Sequence, residues 1–269
     1  MIPNVLSIAG SDPSGGAGIQ ADLKAIAANG AYGMAALTAL TAQNTQGVTE
    51  VELVSPDFVK AQITAVFDDV RVDAVKIGMI ATAEIANAIA EVLEARGDVP
   101  VVLDPVMIAK GGAPLLQPDA MDTLRRRLVP RATIITPNLP EAAHLLDETA
   151  AATREEMAAQ AHALTALGPQ AALVKGGHLD SVDSPDALCV AGDVHWFDAP
   201  RTPGKNTHGT GCTLSSALAA QLAHGLALPD AVDAAKSYVA GAIAAAEALS
   251  VGHGHGPVHH YFDLWKDRK

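Results

Sequence analysis

Short β-rich runs alternate with longer helical patterns along almost the whole 269-residue chain, and this alternation leaves few folds open. Val5–Ala9, Met34–Leu40, Val72–Ile77, Val101–Leu103, Thr133–Thr136 and Ala171–Val174 read as strands. Helical patterns fall between them, at Gly18–Asn29, Pro56–Asp69, Ala83–Ala95, near Ala120–Leu128, from Pro140, and at Glu155–Leu167. Pro56 suits a first helical turn, and Gly168-Pro169 stops the sixth helix. The pattern predicts an α/β fold of three layers, with a mostly parallel central sheet and helices on both faces. Ala187–Phe197 breaks the rhythm: two β runs around Ala191-Gly192-Asp193 predict a short antiparallel hairpin at one sheet edge. Final helices over Thr213–His224 and Asp230–Leu249 close the pattern. Without a Pro/Ser-rich linker or a fixed-period repeat, residues 1–269 read as a single domain. Ligands in such sheets sit at the carboxyl ends of the strands, so the chemistry is expected there.

Composition narrows the classes of partner. With 18 Lys+Arg against 30 Asp+Glu the net charge is −12, which disfavours nucleic acid and acidic membranes as partners. Small anions remain compatible, because backbone N–H groups hold a phosphate without net positive charge. Aromatics make up 3%, so the core must be built from Ala, Val, Ile and Leu. Two cysteines, Cys189 and Cys212, without a Cys-x-x-Cys, exclude a disulfide scaffold and a cysteine-rich zinc site. The first residues lack a basic run followed by a long apolar one, and the Ala-rich run Val239–Leu249 holds Glu247 and is too short for a bilayer. A cytoplasmic protein that does not engage the membrane is expected.

Two glycine clusters carry most of the chemical signal. Gly10-Ser11-Asp12-Pro13-Ser14-Gly15-Gly16-Ala17-Gly18 follows a buried strand and opens a helix, where amides can cradle an anion or a polar ligand. Gly16-x-Gly18-x-x-Ala21 weakly matches a dinucleotide fingerprint, but the acid that should follow about 20 residues later is missing: the second strand ends in Thr41-Ala42-Gln43-Asn44. A tight turn that needs glycine is the plainer alternative. Asp22, one turn into the helix, is expected near the same mouth, or else is an ordinary solvated acid. Lys205-Asn206-Thr207-His208-Gly209-Thr210-Gly211-Cys212 precedes the Ala-rich helix, and there the amides and the helix dipole can stabilise an anionic transition state. Cys212 is placed at that helix start, where a thiol pKa tends to fall, whereas Cys189 reads as core. Asp104, Asn138, Glu141 and Lys175 all follow strands; such carboxylates can position Mg2+ or its waters, and such a lysine can meet a phosphate. Gly-x4-Gly-Lys-Ser/Thr and Gly-x-Ser-x-Gly are both absent.

Gly10–Asp22, Thr41-Ala42-Gln43-Asn44-Thr45, Lys76-Ile77-Gly78-Met79, Thr136–Glu141, Lys175-Gly176-Gly177-His178, Asn206–Cys212 and Gly254–His260 together resemble the hydroxymethylpyrimidine/phosphomethylpyrimidine kinases of thiamine biosynthesis, in the ribokinase-like superfamily. The resemblance runs essentially from end to end. It implies ATP-dependent phosphorylation of 4-amino-5-hydroxymethyl-2-methylpyrimidine and then of its monophosphate. It further implies that Gln43 binds the aminopyrimidine and that Gly10, Ala17, Asp22, Met79 and Val106 line the pocket. A carboxamide suits that task, offering one donor and one acceptor to an amino group beside a ring nitrogen. By the same resemblance Asn138 and Glu141 organise Mg2+, and Lys175 and Thr207 touch the nucleotide phosphates; Asp104, from its place at a strand end, is the further carboxylate expected to position the ion. Cys212 replaces the Asp of sugar kinases, which points away from a sugar. It is expected to accept the hydroxymethyl proton while the amides of Gly209, Thr210 and Gly211 hold the transferring phosphoryl. A homodimer is implied as well.

Three rival readings stay open at this level. One is a pyridoxal or pyridoxine kinase on the same scaffold, another a cysteine hydrolase pairing Cys212 with His208, and the third a non-catalytic nucleotide sensor. His253 and His255, spaced by glycines, give no rigid metal-binding face and are expected in an ordered tail near the nucleotide site or a flexible end. The segment after Asp104, with Gly111-Gly112, is a candidate lid.

Overall fold

Strand β1 (Asn4–Ala9) is buried on both faces, since it lies inside the sheet between β2 (Tyr32–Leu37) and β5 (Ala74–Ile77) and pairs in parallel with each. This computed structural model describes residues 1–108, 115–202 and 204–265, so the expected lid at Gly111-Gly112 lies outside the described residues. Between β2 and β5 the chain forms β3 (Ala39–Asn44), β4 (Gly47–Leu53) and helix α2 (Pro56–Asp69). Beyond β5 the sheet continues through β6 (Val101–Leu103), β7 (Ile134–Ile135) and β8 (Ala171–Lys175), all parallel. The antiparallel pair β9 (Asp186–Val190) and β10 (Asp193–Phe197) completes eight strands in the order β10-β9-β8-β7-β6-β5-β1-β2. Its two-residue turn has positive φ at both Ala191 (52°) and Gly192 (87°), the geometry that matches strand twist.

Side-chain alternation sorts the core into two layers. Leu6, Ile8, Val75, Ile77 and Leu103 face the helices α2, α3 (Ala83–Glu94), α5 (Leu139–Leu146) and α6 (Arg154–Thr165), where Ile63, Ile89, Leu145 and Leu164 meet them. Val5, Ala74, Val102, Ile134 and Leu173 face the opposite way, onto α1 (Gly18–Ala28), α7 (Thr210–Ala223) and α8 (Leu228–Ala244), through Ile26, Leu218 and Val232. By the same alternation Ser7 and Lys76 point into this second layer. Strand order reverses between β1 and β5, which opens a crevice at the carboxyl ends of those two strands.

Three sequence expectations change. The strand expected over Met34–Leu40 stops at Leu37: the N–H of fully buried Thr38 makes the last bond to β1, at Ala9 O, and its hydroxyl donates to Met79 O at 2.6 Å where the chain passes into β3. Residues 39–53 then form a separate two-stranded antiparallel sheet, β3–β4, with a register shift between Ala42 and Gln43. The helix near Ala120–Leu128 is α4 (Pro118–Thr123) followed by a π-helical turn, Leu124–Leu128, and the last helix ends at Ala244 rather than Leu249. No helix among the described residues is long and apolar enough to cross a membrane.

Candidate active site

The loop after β1 is wound around one carboxylate. Asp12 Oδ1 accepts from the N–H and hydroxyl of Ser14 at 2.9 and 2.6 Å, and Oδ2 accepts from Ala17 N–H at 2.8 Å and His208 Nε2 at 2.8 Å. Burial opposes the charge on Asp12, but the bonds from His208 and Ser14 outweigh it and hold the carboxyl below its usual range. His208 belongs to the second glycine cluster, so this pair ties the two clusters together across 196 positions of sequence. Glycine is required where they touch: Gly209 has φ +77°, and a Cβ on it would collide with Gly16 O.

Asp22 does not line the mouth. It is fully buried in α1 and bonded to Lys76 Nζ at 2.8 and 2.9 Å, to Ser7 Oγ at 2.6 Å and to Ser216 Oγ at 2.7 Å. Lys76 is as deeply buried, and a Cβ on Gly78 would lie 2.6 Å from its Nζ. Burial disfavours the ammonium, but the charges of Asp22, Cys212 and Asp104 reverse that and hold it above its usual value. Sequence reading left Lys76 without a role of its own. The available signal was a lysine within the apolar strand Ala74-Val75-Lys76-Ile77, which must find a partner once buried.

A second cluster gathers where β6, β7 and β8 end. Asp104 Oδ1 accepts from Lys175 Nζ at 2.8 Å and from Thr136 Oγ1 at 3.2 Å, while Ser215 Oγ donates to Oδ2 at 3.4 Å. Burial works against both charges, yet the pairing with Lys175 and the nearby Lys76 keep Asp104 ionised, and Asp104 and Glu141 keep Lys175 protonated. Asn138 and Glu141 form a capping box on α5: Asn138 Oδ1 accepts Glu141 N–H at 2.9 Å and Glu141 Oε2 accepts Asn138 N–H at 2.8 Å. Glu141 also accepts from Met107 N–H; burial, with Asp104 adding to it, pushes its carboxyl up to about 7 against the pull of Lys175.

This has a consequence for pH. Between about pH 4.5 and 7 the folded protein keeps a proton on Glu141 that the unfolded chain has lost, so this residue's contribution to stability falls as pH rises through that window. Glu141→Gln keeps the cap and removes the titration. The stability of the variant relative to the native chain should therefore grow from pH 4.5 to 7, by up to roughly 1.4 kcal/mol per unit, in urea unfolding at pH 5, 6 and 7. A pH-independent difference would show that Glu141 ionises normally.

Helix α7 begins at Thr210, with Gly209 as its N-cap, so Gly209–Gly211 are the opening of the helix rather than a loop before it. Thr210 Oγ1 donates to Thr207 O at 2.8 Å, and a Cβ on Gly211 would lie 3.4 Å from both Asp104 Oδ2 and Lys175 Nζ. Thus Gly211 lies beside the Asp104–Lys175 pair, while Thr207, Gly209 and Thr210 form the opening of α7 next to it in the chain. Cys212 follows, its sulfur accepting Gly18 N–H. The expected depression of its pKa is reversed: burial pushes the thiol up to about 11, with Asp22 and Asp104 adding to the rise and Lys76 opposing it. His208 Nε2 bonds Asp12, so the hydrolase pairing of Cys212 with His208 gains no support.

Of the remaining pocket residues, Gly10, Ala17 and Met79 follow β1 and β5, and Val106 follows β6. Met79 Sδ would be 3.0 Å from a Cβ on Gly10, Ala17 caps α1, and Val106 N–H bonds Asp104 O at 2.8 Å. Gln43 on β3 reaches Thr41 and His208. A groove of about 360 Å3 opens beside Met79, lined also by Val51, Leu53, Ala81, Leu115, Leu116 and Gln117. The tail crosses the site: Gly254 N–H bonds Thr45 Oγ1, His255 N–H bonds Thr45 O, and His208 N–H bonds Gly256 O. Among the described residues no three His, Cys, Asp or Glu side chains are arranged to hold a metal ion.

A mostly parallel sheet with its order reversed at a crevice, a buried carboxylate–lysine pair at the strand ends and a glycine-opened helix above them define a ribokinase-like small-molecule kinase. The family model described as phosphomethylpyrimidine kinase matches residues 12–259, and the chain belongs to that family. It is 55% identical over 262 residues to the hydroxymethylpyrimidine/phosphomethylpyrimidine kinase of Escherichia coli K12, covering 97% of this chain and 98% of the relative. Among solved structures, the phosphomethylpyrimidine kinase of Clostridium difficile 630 is 43% identical with a TM-score of 0.79, over 88% of this chain and 97% of that one. The Staphylococcus aureus pyridoxal kinase in complex with AMP-PCP and pyridoxal is 34% identical with a TM-score of 0.89, over 98% and 95%.

Proposed function

We propose that the chain transfers phosphate from ATP to 4-amino-5-hydroxymethyl-2-methylpyrimidine and then to the resulting monophosphate, giving the diphosphate used in thiamine biosynthesis. The observation that carries this reading is the meeting of Cys212, Lys175 and Asp104 at the start of α7, in a chain of this family. Gln43 presents its amide to the aminopyrimidine edge, and Gly10 and Ala17 border the ring. Met79 and Val106 supply apolar walls, while Asp22 acts from below by holding Lys76. Lys175 and Thr207 meet the nucleotide phosphates, and the amides of Gly209, Thr210 and Gly211 hold the transferring phosphoryl. Cys212 takes the hydroxymethyl proton.

The residues fit Mg2+ held largely through water and phosphate oxygens, as this ion is usually held in kinases, rather than a closed protein cage. Asp104 is the charged carboxylate of the set and Glu141 the second, while Asn138 spends Oδ1 on the cap and so fixes Glu141 in place. When bound, the ion neutralises charge on the nucleotide phosphates. We further infer one kinase domain over residues 1–269, acting in the cytoplasm as a homodimer. The exposed apolar side chains Leu40, Val51 and Leu53 on the β3–β4 hairpin support the dimer, and light scattering tests it.

The deciding assay incubates the purified protein with ATP, Mg2+ and either the hydroxymethylpyrimidine or pyridoxal, with products followed by mass spectrometry. Mono- and then diphosphate on the pyrimidine is the expected result. Phosphate on pyridoxal alone would overturn the substrate while keeping the reaction class, a reading favoured by the likeness to the Staphylococcus aureus enzyme.

A further inference from the structure

His208 is pinned from several sides without touching the Asp104–Lys175 cluster. Its backbone N–H bonds Gly256 O, a Cβ on Gly16 would run into its ring, and its Nε2 stands 2.8 Å from Asp12 Oδ2 and 3.4 Å from the Gln43 amide Nε2. The other end of that amide, Oε1, lies 3.2 Å from Thr41 Oγ1, which is itself 3.0 Å from Ser11 O.

The protons decide which way the amide points. Asp12 is a carboxylate and carries no proton, so the hydrogen between Asp12 and His208 belongs to Nε2. An Nε2–H cannot also accept from an amide NH2. Turning the Gln43 amide by half a turn, which exchanges two ends of nearly equal size, satisfies every group. His208 Nε2–H is then shared between Asp12 Oδ2 and the amide oxygen, the amide NH2 donates to Thr41 Oγ1, and the Thr41 hydroxyl donates to Ser11 O. One amide N–H and one oxygen lone pair are left over, the pair that an amino group beside a ring nitrogen needs.

We propose that Asp12 and His208 are positioning residues that fix the Gln43 amide with its oxygen towards His208 and its nitrogen towards Thr41, and thereby set the preference for an aminopyrimidine over the same ring lacking its amino group. This rests on the reading in which Gln43 meets the substrate ring. Without the anchor the amide presents either edge, and the wrong edge sets donor against donor.

The test compares kcat/KM for 4-amino-5-hydroxymethyl-2-methylpyrimidine with that for the analogue lacking the 4-amino group, in the native chain and in Gln43→Ala, His208→Phe, His208→Gln and Thr41→Val. Gln43→Ala should erase most of the discrimination; if it does not, the reading of Gln43 fails, whatever the other variants do. Given that control, His208→Phe should lower the discrimination ratio by about tenfold through KM for the aminopyrimidine, leaving KM for ATP within about twofold. His208→Gln, which restores an N–H donor, should recover most of the ratio. Thr41→Val releases the other end of the amide without disturbing the buried pair, and should lower the ratio by about threefold even if His208→Phe folds poorly. A native ratio in Thr41→Val and in every folded His208 variant, with the ratio lost in Gln43→Ala, overturns the proposal alone.

Discussion

Lys76→Met is expected to cost about 3–5 kcal/mol of folding stability, the range for breaking a buried ion pair from one side. The substitution keeps most of the length of the side chain but strands Asp22 as a carboxylate with no exposure to water, retaining only the hydroxyls of Ser7 and Ser216. Two neutral hydrogen bonds do not replace a bidentate ammonium at 2.8 and 2.9 Å in a site that excludes solvent. The double variant Lys76→Met/Asp22→Leu removes both charges and should regain most of the loss, because the cost lies in the unpaired ion rather than in the missing contact. Urea unfolding of the native chain, both single variants and the double variant measures this directly. A loss below about 1 kcal/mol in Lys76→Met would mean that the pair is not the electrostatic floor of the site. The floor matters above it as well. Lys76 is the charge that draws the Cys212 thiol down, beside the hydrogen bond from Gly18 N–H, so in a folded Lys76→Met chain the thiol should titrate still higher than in the native protein.

What was legible in the sequence follows from range. The β/α alternation is local, and it yielded the parallel sheet, both helix layers and the edge hairpin, because each strand advertises its own burial. The β3–β4 hairpin was missed because Ala39 and Leu40 continue an apolar run whose interruption, Thr38, is invisible until its hydroxyl is seen bonded to Met79 O. A turn at Asn44–Gly47 followed by Val48, Val51 and Leu53 was the usable signal. Strand ends announced Asp104, Lys175, Asn138 and Glu141, but their electrostatics did not follow from residue type. Helix-start placement alone predicts an acidic thiol at Cys212; desolvation beneath the two glycine loops outweighs it. Asp22 with Lys76, and Asp12 with His208, are separated by 54 and 196 positions, and only the closed fold makes them neighbours.

The raised thiol sharpens the expectation for Cys212→Ala. Removing a proton acceptor should slow phosphorylation of the hydroxymethyl group by about 10²- to 10³-fold, within the usual range for general base catalysis. The second step has a different need, since a phosphomonoester with its second pKa near 6 already offers an ionised oxygen at neutral pH. The monophosphate reaction should therefore fall by less than about tenfold, a loss set by packing around the missing sulfur rather than by proton transfer. The pH profile separates the two accounts further. If the thiolate is the working base and the thiol sits near 11, the alcohol reaction of the native chain should climb with pH across the alkaline range, while Cys212→Ala and the monophosphate reaction stay nearly flat. Rapid-quench measurement of each step, with both substrates supplied separately, reads these profiles. Equal losses in the two steps would assign Cys212 to holding the opening of α7 in shape against Gly18. A flat native profile with unequal losses would mean that the hydroxyl proton leaves only after the phosphoryl has moved, so that what the sulfur contributes is an acceptor at the right place and not a preformed anion.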